Sequence, residues 1–200
     1  MPNAGFERDY KKHRVPGWSF EGKFKMKNIF DKISSNEALE ILRLLADTDK
    51  QVKNKICKIA EEMITDVEFE GLSEDVFFAL DGIDVHDLWN RSGSTVDGYI
   101  SPGEMACEMI DDELEPFKKE IYRLVELDHF HEAKKYCMEV LKGIYMYNFD
   151  SQSEFKNWAT DVPAEYFHEI LNGWKKRTKK EADIKEMNDF LMKECENWVK

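Results

Sequence analysis

Apolar residues fall at every third or fourth position along most of this chain, and one short stretch near the start alternates strictly instead. Leu39, Leu42 and Leu45 recur at three-residue steps. Beyond the polar turn Asp47-Thr48-Asp49, Val52, Ile56, Ile59, Ala60 and Met63 recur at three and four. Such spacing gathers the apolar side chains of each segment on one helical face, so it predicts amphipathic helices over about 36–46 and 49–65, paired as a hairpin. Ser34-Ser35-Asn36-Glu37 has the order of a capping box for the first helix, and Asp47 or Thr48 is placed to cap the second.

The alternating stretch comes earlier. Trp18, Phe20, Gly22, Phe24 and Met26 alternate with Ser19, Glu21, Lys23, Lys25 and Lys27, which predicts an extended strand or small hairpin that must pack on something. Past the first helix pair, the expected elements are nearly all helical. Ser73 is read as the cap of a short apolar helix, and Asp84 opens a brief turn through Leu88 and Trp89. Residues 90–101 read as an irregular loop. Ser101-Pro102-Gly103-Glu104 starts a helix to about Glu113, and Pro116 is expected to open another that reaches Glu126. Later helices carry Ala133 to Ile144, Phe155 and Trp158 behind a Ser151/Glu154 box, Phe167 to Trp174, and Ile184 to Trp198. The expected fold is all-α: an irregular stack of antiparallel helix pairs, residues 34–200, behind a short extended N-terminal arm, residues 1–33.

Composition narrows this picture. Of 200 residues, 42% are hydrophobic, with only 10 Gly and 5 Pro, which favours a packed helical domain over disorder or a turn-rich β fold. No apolar run is long enough to span a bilayer, and the first residues lack the apolar stretch of a signal peptide, so a cytoplasmic protein without a membrane role is expected. Cys57, Cys107, Cys137 and Cys195 are widely spaced with no Cys-x-x-Cys pair, and read as reduced, largely buried thiols. Residues 1–33 carry +4 while the chain carries −12, leaving −16 on residues 34–200. That body repels phosphate backbones and argues against nucleic acid as a partner. The basic arm is expected to fold back on the body or to reach an anionic partner.

Leu42-x-x-Leu45-x-Asp47-x-Asp49-x-x-Val52-Lys53 resembles a HEAT repeat, in which an aspartate sits in the turn and valine and a basic residue open the second helix. The match covers one unit, residues 36–64. Glu126 to Ala133 is faintly similar to a tetratricopeptide helix start, and Ala79 to Gly93 resembles uncharacterised helical proteins of methanogenic archaea. The HEAT resemblance implies an α-solenoid used to hold other proteins, and it carries over no catalytic residue.

Candidate chemistry is sparse. Glu126-x-x-His129 and Glu165-x-x-His168 have the spacing that sets a carboxylate and an imidazole on one helical face, as a di-metal helical bundle or metal-dependent enzyme would use. The 90–101 loop offers an anion cradle with Arg91 and Tyr99 as contacts, or a plain connector that packs Tyr99 against helices. Tyr145, Tyr147 and Phe149 lie at the end of one helix and cannot all face inward, since consecutive positions are about 100° apart. With Trp18, Phe20 and Phe24 of the arm they form the aromatic candidates for partner binding. The leading expectation is a protein-interaction scaffold without a cofactor and with homo-oligomerisation open; the metal-binding bundle is the alternative.

Overall fold

The structure is a computed structural model that describes residues 31–65, 69–96 and 98–198. The arm's Trp18, Phe20 and Phe24, and the alternating stretch that holds them, lie outside the described residues. The chain divides into two compact units, residues 1–62 and 63–200. The fold is all-α. Eight α-helices and one two-stranded hairpin make up the described residues, together with two 3-10 turns.

In the first unit, α1 (Ser35–Thr48) starts with the expected capping box: Ser34 Oγ accepts from Glu37 N, and the Glu37 carboxylate accepts from Ser34 N at 2.8 Å. A single residue, Asp49, joins it to α2 (Lys50–Thr65). Asp49 does the capping, its Oδ1 accepting from Gln51 N at 2.7 Å and Val52 N at 3.3 Å. Both helices form where the periodicity placed them, yet they are not packed along each other. Asp49 is extended (φ −138°, ψ 115°), and closing two helices side by side takes a loop of about 2–5 residues.

The second unit is organised by α6 (Phe130–Asp150), which packs most extensively on α3 (Leu72–Asp81) and also on α5 (Pro102–Glu126), α7 (Val162–Arg177) and α8 (Glu181–Glu194). Its Ala133, Cys137, Val140, Leu141, Ile144 and Tyr147 are all buried, and all but Ala133 belong to a core shared with Val76, Leu80, Ile110, Phe167 and Trp174. The stack is therefore irregular in a definite way: one helix touches neighbours distant in sequence as well as adjacent ones. Asp128, at φ +62°, turns the chain from α5 into α6, a conformation that aspartate tolerates better than most residues.

Five further local expectations are corrected. Pro116 lies inside α5, which runs unbroken because Ile110 and Leu114 before the proline and Ile121 and Leu124 after it share one buried stripe. The exposed residue Asp112 holds the carbonyl that loses its helical partner there, so water can serve it. Ser73 is buried within α3, whose N-cap is Gly71 at φ +88°. Ser151 builds no capping box: it donates to Asp81 Oδ1 at 2.6 Å and accepts from Ser153 N, ahead of a 3-10 turn over Glu154–Trp158. Residues 93–100 are an antiparallel hairpin, β1 (Gly93–Thr95) against β2 (Gly98–Ile100), with Ser94 opposite Tyr99. α8 stops at Glu194, and Trp198 belongs to a separate 3-10 turn, Glu196–Trp198.

Candidate interaction surfaces

Two lysines sit at apolar phases of their helices, and both are compensated. Lys118 follows Leu114 by four residues and precedes Ile121 by three, so α5 carries its side chain into the buried stripe. Its Nζ lies 2.6 Å from Asp111 Oδ1, 3.2 Å from Glu115 Oε2 and 3.9 Å from Glu169 Oε1 on α7, and 5.3 Å from the centre of the Tyr166 ring. Burial lowers the affinity of this amine for its proton, but the hydrogen bonds to Asp111 and Glu115 outweigh it, and the pKa stands above the usual lysine value. Burial and then the Asp111 charge push the Tyr166 phenol up; burial and then Glu165 push the Cys107 thiol up. Both shifts favour the protonated group. Lys134 on α6 is held in the same manner by Asp183, at 2.8 Å, and Glu186, both on α8. These clusters clamp helices together; the sequence marks them only as cations in apolar phase.

The aromatic candidates separate. Tyr147 is fully buried, and burial followed by the Asp81 charge raises its phenol to about 12. Tyr145 and Phe149 lie at the surface of α6, with ring centres 4.5 Å apart, and Trp198 closes on them at 5.3 and 5.8 Å. Asn197 Nδ2 donates to Tyr145 Oη at 2.8 Å. A second pair was not anticipated: Trp89 of α4 (Val85–Arg91) and Trp158 stack edge to face at 4.7 Å, both partly exposed.

Of the anion-cradle candidates, Arg91 Nη2 lies 3.2 Å from Asp112 and 4.0 Å from Glu108, both on α5, while Tyr99 is 70% exposed on β2 rather than packed on helices. Glu126 and His129 fall at the α5–α6 joint, where His129 Nδ1 lies 3.8 Å from Glu132 Oε2; Glu165 and His168 are exposed on α7. The two Glu-x-x-His pairs are not brought together: no group of three or more His, Cys, Asp or Glu suited to a metal occurs among the described residues. Nor is any helix among them long and apolar enough to cross a membrane.

Among the described residues, α1 and α2 carry the densest run of exposed large apolar side chains. No residue of α1 and no described side chain of α2 is buried. Leu39, Ile41, Leu42, Leu44 and Leu45 are 43–61% exposed, and Ile59 is 56% exposed. The apolar arc of α1 is wide, since Ile41, Leu44 and Leu45 add a second seam beside Leu39 and Leu42. Cys57, expected inside, is exposed, whereas Cys137 and Cys195 are buried; all four thiols are free. Comparison with protein-family models, with curated proteins and with solved structures finds no match to this chain.

Proposed function

We propose that this chain is a protein-interaction module whose binding faces are the amphipathic helices α1 and α2. The observation that carries the reading is the row Leu39, Ile41, Leu42, Leu44 and Leu45, apolar in phase and 43–61% exposed. Contiguous apolar surface of this kind on a folded chain marks a site of association. The HEAT-like wording of residues 36–64 supports the same role, because such helices hold other proteins. The charge of −16 on residues 34–200 favours a protein over a nucleic acid as partner, and four free thiols suit a reducing, cytoplasmic setting.

A photo-crosslinking residue at position 44, with position 75 on the exposed side of α3 as control, tests the reading in cells. Expected is a discrete protein adduct from position 44 and none from position 75. No adduct from position 44 would sink the proposal.

A further inference from the structure

We infer that the occupant of these faces is the same segment of a second copy of the chain, with α1 of one molecule lying along α2 of the other. The inference rests on the interaction reading above and names its partner. Helices of 14 and 16 residues are marginal alone in water and draw their stability from a covered apolar face. Within one chain, the single extended residue Asp49 leaves the faces of α1 and α2 unpacked along each other. Two chains related by a two-fold axis supply that packing reciprocally, each contact occurring twice, as when identical elements are exchanged across a short joint.

Charge selects this pairing over others. α1 carries Glu37, Glu40 and Asp47 against Arg43, a net −2; α2 carries Lys50, Lys53, Lys55 and Lys58 against Glu61 and Glu62, a net +2. Setting α1 on α1, or α2 on α2, would oppose like charges, whereas α1 on α2 opposes unlike ones. Among the described residues Glu40, Asp47, Lys53 and Lys55 take part in no ion pair within the chain, so these four remain available to a neighbour. The joined product is a four-helix assembly with an acidic helix facing a basic one at each seam.

Sedimentation of the full chain over a range of concentrations tests this, with circular dichroism to verify that each variant stays helical. The unaltered chain is expected to dimerise. Glu40→Lys with Asp47→Lys, or Lys53→Glu with Lys55→Glu, is each expected to weaken self-association by about tenfold or more. Mixing the two variants should restore a mixed dimer, because each then offers the charge that the other lacks. A chain monomeric at every concentration overturns the inference, as does a dimer indifferent to both reversals or a mixture no tighter than its components. If the chain is monomeric while position 44 still crosslinks a different protein, the interaction reading survives and self-pairing falls. If position 44 crosslinks only within its own chain, both fall.

Discussion

The carbonyl oxygen of Ser73 lies 2.5 Å from the point where a Cβ on Gly143 would stand, and Val76 Cβ lies 2.6 Å from it. α3 and α6 thus cross in backbone contact, which only the smallest residue at 143 permits. Gly143→Ala is expected to cost about 2–3 kcal/mol by forcing the helices apart. Gly103→Ala, whose Cβ would meet nothing nearer than Trp158 O at 3.9 Å, should stay within about 0.5 kcal/mol of the parent. Thermal or urea unfolding followed by circular dichroism decides between them.

Lys134 joins α6 to α8 through Asp183 and Glu186 with its own side chain nearly buried. Lys134→Ala should cost about 3 kcal/mol, since it opens a cavity and strands the half-buried Asp183 carboxylate. Lys134→Met, which keeps the aliphatic stem, should cost about 1 kcal/mol less. Equal losses for the two variants in urea titration would show that packing contributes nothing there.

Asp111 has a carboxyl held below its usual range, first by the hydrogen bond from Lys118. A carboxyl lowered on folding contributes stability above its unfolded value, near pH 4, and that contribution is lost as pH falls through the folded value. Asp111→Asn is expected to cost about 1 kcal/mol at neutral pH, discounted for the solvent around Asp111. The gap between parent and variant should close on acidification. A gap constant from pH 7 to pH 2 would refute the assignment.

Tyr145 Oη receives its hydrogen bond from Asn197, 52 residues away, and the Trp198 ring packs beside it. Tyr145→Phe keeps the ring contact and loses the acceptor, so the 196–198 turn should loosen while the core stays intact. Faster amide exchange confined to that turn is the expected readout.

Thiol chemistry offers a direct check on the placement of the cysteines. Cys57 is exposed, Cys107 half-buried, and Cys137 and Cys195 are buried, with burial and then the Glu194 charge raising Cys195 to about 12. At pH 8 an aromatic disulfide reagent should titrate one thiol quickly and one slowly, and the remaining two only in denaturant. Cys57→Ser should remove the fast phase.

Local signals in the sequence were readable wherever the local partner is the real one. The boxes at Ser34/Glu37 and Ser101/Glu104 form because cap and glutamate need only each other. The same wording at Ser151/Glu154 fails because Asp81, 70 residues upstream, takes the hydroxyl. Pro116 misleads for a related reason: the proline rule is local, and the stripe from Ile110 to Leu124 that overrides it is buried by other helices. Three-residue strands at 93–100 are too short to show alternation. At the candidate surface, periodicity disclosed which faces of α1 and α2 are apolar. It held no information on whether the two faces pack on each other, because that depends on the one-residue joint Asp49.

The crossing of Ser73 with Gly143 also sets the order of events during synthesis. A ribosome adding about 5–20 residues per second delivers α3 well before α6, whose end at Asp150 lies next to the Ser151 that bonds Asp81 70 residues earlier. For roughly 4–14 s, Val76 and Leu80 therefore emerge without the helix that will bury them. Any delay between those two segments prolongs the interval in which a nascent chain is most exposed to chaperones and to its neighbours on the same message.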